Sequence, residues 1–370
     1  MKKRLSFAMA MALAAATLAG CGGSGGSESS AAPQQDAGSP AAEAADSSTA
    51  QESAGQGSGT EVAADAFEIM VAYENNPGEA VDLACNHWKE ELEKISGGKM
   101  TMTLYPSSQM GDKNEVIDMA LSGDSIITIG NDSFYADLGV SDFNVTFAPY
   151  LIESWEDFDK IHESDWYAEQ VSQLEGLGLH LVSNNWHYGV RHLMSAKPVN
   201  SIADLKGMKV RTPNSTAESS NFVAQGAVST PMALSEVYTA LQQGTIDAVE
   251  NPLDVLQANA FYEVVKNLTL TGHTYINASW LYSEDLWNSL TEEQQGWFIQ
   301  SGEAAAEYFN GIVEEAADKA LEDMKAQGVT VQEFDRSGCA DATKAFCELP
   351  EINGKWSDGL YEKITEILGR

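Results

Sequence analysis

Arginine is scarce in this 370-residue chain, occurring only as Arg4, Arg191, Arg211, Arg336 and Arg370. A guanidinium is a permanently charged planar fork that matches a carboxylate through two parallel hydrogen bonds. Arg191 and Arg211, both interior and close in sequence, could therefore capture a small organic acid. In a chain with 55 acidic against 21 basic residues, the competing role for any arginine is to pair with a neighbouring Asp or Glu. The chemistry points to capture without turnover. No nucleophile, base and orienting acid are arranged around the six histidines, and no HExxH or CxxC spacing occurs. The literal GxSxG at Gly22 to Gly26 lies in a Gly/Ser-rich run, without the strand and helix that a nucleophile elbow requires. No catalysis, metal or cofactor is expected. The net charge of -34 argues against nucleic acid and against a polybasic grip on anionic lipid.

The elements that position these residues follow from periodicity. Lys2, Lys3 and Arg4 precede an apolar run from Leu5 to Leu18, which reads as an export signal too short to serve as a permanent span. Leu18-Ala19-Gly20-Cys21 resembles the lipobox of bacterial lipoproteins. That resemblance implies a signal peptide over residues 1–20, a diacylated Cys21 and attachment to the outer face of the cytoplasmic membrane. Residues 21–65 are Gly, Ser, Ala, Gln and acidic residues, too poor in large apolar side chains to offset the entropy of ordering, and read as a tether. Folding begins with a strand at Phe67 to Tyr73, a helix from Val81 to Ile95 ended by Gly97-Gly98, a strand at Met100 to Leu104, a helix through Val116 to Leu121 and a strand at Ser125 to Ile129. Further strands are expected at His180 to Ser183, Lys209–Val210 and Ile246 to Val249, with helices at Thr216 to Gln225 and Leu234 to Leu241. The capping box Thr291 to Gln294 opens a very long helix running toward Ala326. Strands alternating with helices imply an α/β fold with parallel neighbours. Cys85 lies on an apolar helix face and reads as a buried thiol, and a helix between Cys339 and Cys347 would hold them too far apart to pair.

Three segments carry a family resemblance: Asp204 to Pro213 (DLKGMKVRTP), Thr230 to Gly244 (TPMALSEVYTALQQG) and Ile246 to Pro252 (IDAVENP). With Ser96-Gly97-Gly98, Tyr105-Pro106 to Gly111, and Trp186 to Arg191 ahead of Lys197-Pro198-Val199, they closely resemble the solute receptors of TRAP transporters, the DctP-like family, over about three hundred residues. The resemblance implies a two-lobed, periplasmic-binding-protein-like fold with a hinge and a long bracing helix. Lobe 1 would comprise residues 66–188 and 277–316, and lobe 2 residues 189–276 and 317–370. It also implies a receptor that closes on an organic acid and hands it to a small and a large membrane subunit; a monomer on its tether is the default expectation. By the same resemblance Arg211 clamps the ligand carboxylate, Asn251 stands beside that group and Arg191 is a second cation. Leu234 occupies a wall position that is aromatic in other members.

In open α/β lobes ligands lie beyond the carboxyl ends of strands. That rule adds Glu74, Asn75 and Asn76 after the first strand, and Asn131, Asp132 and Ser133 after the third. The crossings between lobes add Trp186, His187 and Tyr188, then Tyr275 and Asn277. Glu74 and Asp132 would repel an anion and suit hydroxyl groups better. A sensory lipoprotein presenting its acid to a kinase would use the same fold, and a receptor for an ATP-driven importer would share the architecture without the KVRTP to ENP signature.

Overall fold

The computed structural model describes residues 66–370, so the expected signal, Cys21 and tether lie outside the described residues. Strand β1 (Phe67–Ala72) buries Ile69 and Val71 on alternate positions, and helix α1 (Ala80–Ile95) buries Val81, Ala84, Cys85, Trp88 and Leu92 along one stripe. Gly97 and Gly98, at φ of 62° and 77°, stop that helix in the left-handed region, where a Cβ would be strained. Strand β2 (Met100–Tyr105), helix α2 (Lys113–Leu121) and strand β3 (Ile126–Gly130) follow. Asp112 and Glu115 cap α2 reciprocally, through bonds of 3.0 and 2.9 Å between side chains and backbone N–H groups.

Between Asn131 and Gly178, where periodicity indicated no element, there are helices α3 (Asp132–Leu138), α4 (Trp155–His162) and α5 (Asp165–Gly176), capped at their N-termini by Asn131, Ser154 and Ser164. Strand β4 (Leu179–Ser195) is 17 residues long, far beyond the four expected. Then come β5 (Lys209–Thr212), α6 (Thr216–Ala224), β6 (Val228–Pro231), α7 (Val237–Gln242), β7 (Ala248–Asn251), α8 (Leu253–Ala258) and a second 17-residue strand, β8 (Asn267–Ser283). The chain finishes with α9 (Glu284–Ser289), α10 (Glu292–Ala326), β9 (Thr330–Gln332), α11 (Cys339–Glu348), α12 (Pro350–Asn353) and α13 (Leu360–Ile367).

All strands join one sheet in the order β2-β1-β3-β8-β4-β7-β5-β6, with β9 beside β8. β1 is parallel to β2 and β3, and β5 is parallel to β6 and β7, as the alternating pattern implies. The central β4 and β8 are antiparallel to each other and to β7 and β3 respectively, β9 lies parallel to β8, and β4 and β8 each run through both halves of the two-lobed fold. Their register shifts between Ser183 and Trp186, between Trp186 and Gly189, and between Arg191 and Leu193, which bends the pair where it crosses.

Helix α10, 35 residues and about 50 Å long at 1.5 Å per residue, braces both halves. Its Phe298, Ala305 and Phe309 pack in one core with Trp88, Trp186 and Trp280, while Ala320 and Met324 pack in another with Val237, Leu256 and Phe261. The C-terminal helices touch both halves too. Phe346, Ile352 and Ile364 share a core with Phe143 and Trp166 of the first half and with Ala217 of α6. Cys339 and Cys347 are free thiols at opposite ends of α11, roughly 12 Å apart along its axis, beyond disulfide reach.

Gly189, at φ 147°, sets how closely β4 approaches the segment after β7: an added Cβ would stand 2.7 Å from Cβ of Pro252. Gly189→Ala is therefore expected to combine backbone strain with overpacking and to destabilise the fold by about 1–3 kcal/mol. Urea unfolding monitored by tryptophan fluorescence will measure this, and an unchanged midpoint would show that the contact relaxes freely.

Candidate functional site

A cavity opens where the carboxyl ends of β1 and β3 face those of β5 and β7. β1 leads to Glu74, β3 ends in Gly130 and Asn131, β4 supplies Tyr188 and Arg191, β5 supplies Arg211, β7 ends in Asn251, and β8 crosses beneath with Ile276, Asn277 and Ala278. Glu218 of α6, Lys113 of α2, Ile129, Pro213 and Leu234 complete the lining.

The two arginines differ in what they hold. Arg191 is spent on Glu250: Nε donates to Oε2, Nη2 donates to Oε1 at 2.6 Å, and both side chains are buried. Burial opposes charge on each, but their mutual attraction wins. It holds the Glu250 carboxyl far below the usual carboxylate range and raises Arg191 above the ordinary arginine value. His273 adds a contact of 3.2 Å to Glu250, and burial lowers its pKa against that attraction. Arg211 is only 2% exposed, yet Nε and Nη2 donate to a backbone carbonyl, that of Met232, at 3.0 and 2.8 Å. Among the described residues it has no ion-pair partner within 4.0 Å. Burial pulls its pKa down, with Glu250 and Glu74 acting against that, and a guanidinium stays charged regardless. Asn251 lines the same cavity, and its side chain makes no hydrogen bond among the described residues.

Lys113 and Glu74 pair at the rim on the first half. Lys113 Nζ is 2.9 Å from Glu74 Oε2. Burial works to raise the Glu74 pKa, but Lys113, helped by Arg211 and Arg191, brings it below the ordinary value. Tyr188 is held by a 3.1 Å bond from Asn75 Nδ2, which also donates to Glu79 at 2.7 Å. Asn131 caps α3 and donates weakly to Glu218 Oε1 at 3.5 Å.

Of the residues expected from sequence, the cavity brings together Arg211, Arg191, Asn251, Glu74, Asn131, Tyr188, Leu234 and Asn277. It does not include Asn76, Trp186 or Tyr275. Asn76 faces Asn259 and Ser107 beside a separate groove. Trp186 is fully buried among Trp88, Trp280 and Phe309. Tyr275 packs edge-on against Trp155. For Trp186 the register shift that follows it turns β4 before Arg191, and Asn76 lies past the rim in the turn after β1. Asp132 is taken up by Tyr167 and Thr146 at 2.8 and 3.0 Å, and His187 stacks on Trp155. Sequence reasoning missed Glu218 and Lys113. A glutamate or lysine in the first turn of a helix looks solvated, and only the facing of the two halves buries Glu218 to 4% exposure.

Residues 71–349 match the model of bacterial extracellular solute-binding protein, family 7 (DctP). The chain belongs to this family. It is 39% identical to a TRAP periplasmic solute-binding protein of Actinobacillus succinogenes solved with L-galactonate, with a TM-score of 0.77, over 82% of this chain and 99% of that one. A counterpart from Ochrobacterium anthropi, solved with L-fuconate, is 38% identical with a TM-score of 0.78, over 82% and 99%. The sialic acid-binding periplasmic protein SiaP of Vibrio cholerae is 30% identical over 251 residues, 65% of this chain and 75% of that protein. Family 7 members are solute-binding receptors, and among the described residues no helix is long and apolar enough to cross a membrane.

Removing Glu250's charge would strand Arg191 in the interior. Glu250→Gln is expected to cost about 3–5 kcal/mol in urea unfolding, whereas Arg211→Lys should leave the unliganded fold within about 1 kcal/mol of wild type. Equal losses in the two variants would contradict the division of roles between the arginines.

A second expectation concerns pH. Burial, with Asp254 nearby, pushes Glu79 up to about 7 against the hydrogen bonds from Asn75 and Asn76, and burial pushes Asp254 up to about 6. An acid with a raised pKa in the fold contributes stability that is full below its unfolded value and is lost as pH rises through the folded value. The urea midpoint of the unliganded protein should therefore fall between pH 5 and pH 8, and Glu79→Gln should flatten that slope. A slope unaltered in this variant would assign it to other groups.

Proposed function

We propose that this chain is the extracytoplasmic receptor of a TRAP importer that captures a small organic acid by its carboxylate. The observation that carries this reading is Arg211: a buried guanidinium lining the cavity, oriented by a backbone carbonyl and without a carboxylate partner among the described residues, beside the unengaged amide of Asn251. A buried, unpaired charge is costly unless a counter-ion arrives. Arg211 supplies the two-pronged contact and Asn251 a further donor, while Arg191, neutralised by Glu250, shapes the wall. The sugar acids bound by the two solved relatives support a ligand of that class.

Charge-assisted hydrogen bonds contribute about 1.5–3 kcal/mol each, and micromolar binding needs about -8 kcal/mol. The arginine thus supplies much of the affinity, and the remainder comes from contacts made by both halves. Capture is a population shift in which an acid touching both lobes favours closure. Residues 66–188 with 277–316 form one lobe, residues 189–276 with 317–370 form the other, and they swing about the crossings of β4 and β8. A lipid anchor on Cys21 and the tether that follows keep the monomer at the outer face of the cytoplasmic membrane, where it delivers its cargo to the small and large membrane subunits. The residues of the cavity hold and release a ligand, and no catalytic step is assigned to them.

The test is a thermal-shift screen of the full chain against small organic acids and their neutral amides. A ligand at a hundred times its dissociation constant stabilises by about 2.7 kcal/mol, readily seen as a raised melting temperature. An acid should stabilise where its amide does not, and Arg211→Lys, which keeps the charge and loses the fork, should weaken binding on the order of a hundredfold. Equal responses to acid and amide, or wild-type affinity in the lysine variant, would contradict the carboxylate assignment.

A further inference from the structure

We infer that Glu218 determines specificity: its free carboxylate oxygen accepts a hydrogen bond from a ligand hydroxyl, so the site selects hydroxylated monocarboxylates over dicarboxylates. The inference deepens the reading of Arg211 as the carboxylate site and rests on it.

The charges around the cavity cancel in an orderly way. Lys113 pairs with Glu74, and Arg191 pairs with Glu250 through Nε and Nη2. Among the described residues that line the cavity, this leaves one unpaired cation, Arg211, and one incompletely engaged anion, Glu218. Oε1 of Glu218 accepts from Ser133 Oγ at 2.9 Å and from Asn131 Nδ2 at 3.5 Å, both reaching across from the other half of the molecule. Oε2 is buried and has no hydrogen-bond partner among the described residues. The nearest cation atom, Nη2 of Arg191, is 3.7 Å away, too far for a hydrogen bond, and already donates to Glu250.

A carboxylate oxygen buried at the edge of a cavity needs a donor, since leaving it unpaired carries the full desolvation penalty. Glu218 lines both this cavity and a smaller pocket shared with Arg191, Glu250 and His273, so the donor is either a ligand hydroxyl in the first or a water in the second, and a sugar-acid hydroxyl is a neutral donor of the right kind. A second ligand carboxylate has no donor to offer. It would meet Glu218 charge against charge, with Arg211 already neutralised by the first carboxylate. A site with one free cation and one hungry acceptor therefore fits one carboxylate plus hydroxyl groups.

Isothermal titration of the full chain at neutral pH tests this with four probes: L-galactonate, its counterpart galactarate in which a second carboxylate replaces the terminal hydroxymethyl, unhydroxylated hexanoate, and neutral galactonamide. The wild type should bind L-galactonate at least about tenfold more tightly than galactarate. Glu218→Gln, which presents an amide donor where the free acceptor stood, should weaken L-galactonate by about tenfold or more. The same variant should leave hexanoate within about twofold and narrow or reverse the gap to galactarate. Thermal unfolding of the unliganded variant checks that it is folded, and the wild-type comparison of L-galactonate with galactarate does not depend on it.

Galactarate binding as tightly as L-galactonate to the wild type would overturn the inference while leaving Arg211 in place. So would equal weakening of L-galactonate and hexanoate by the substitution, the result expected if Glu218 only braces Ser133 or holds a water. Galactonamide binding as well as L-galactonate would instead sink the carboxylate reading itself, and silence from every acid would sink both.

Discussion

The pairing of β4 with β8 is the constraint on which the rest of this molecule depends. These two 17-residue antiparallel strands are the continuous backbone shared by both halves, and the parallel strands of each half are laid against them. The cavity forms where this pair bends. From β4 come Tyr188 and Arg191, from β8 come Ile276, Asn277 and Ala278, and the flanking parallel strands end there, directing their loops at the same point. Gly189 permits that convergence, because a side chain there would collide with Pro252 just past β7. The ladder thus fixes the floor of the site to within the tolerance of hydrogen bonds, while the walls belong to separate cores.

Burying several charges in one small volume is unfavourable unless each is answered, and here the answers divide the labour. Glu250 neutralises Arg191 from beneath, Lys113 and Glu74 neutralise each other, and Arg211 is steadied by a peptide carbonyl that orients it without cancelling its charge. The carbonyl of Met232 matters for this reason. A carboxylate in its place would have produced a stable buried ion pair and an inert pocket. The same segment that provides the carbonyl also provides Leu234, so a single turn both orients the cation and forms an apolar wall.

Much of this was legible before any coordinates, and the boundary has physical causes. Elements with strong periodicity and explicit caps, such as α1 ended by Gly97-Gly98 and α10 opened by Thr291 to Gln294, lie where the pattern places them. The full lengths of β4 and β8 could not be read, because both are interrupted by register shifts and carry polar residues such as Asn184, Asn185, Thr271 and Asn277 that break alternation. Helices α3 to α5 were hidden by aromatic residues that suit either helix or strand. Among cavity residues, arginines announce themselves by rarity and motif, whereas Glu218 is one acid among 55 and differs from the others only in what surrounds it. Trp186 shows the opposite limit: proximity in sequence to Tyr188 and Arg191 did not bring it to the cavity, because the bend between Trp186 and Gly189 turns the chain between them.

The long helix α10 carries a mechanical consequence. Its earlier turns are embedded in the tryptophan-rich core of one half and its last turns in the aliphatic core of the other, and neither anchorage can slide without opening voids. Any rotation of one half against the other then strains the stretch between Val313 and Ala320, where Ala316 still packs on the first core and Ala317 already packs on the second. A helix deformed in this way behaves as a leaf spring. It stores elastic energy in proportion to the square of the bend, and so opposes any displacement of one half against the other.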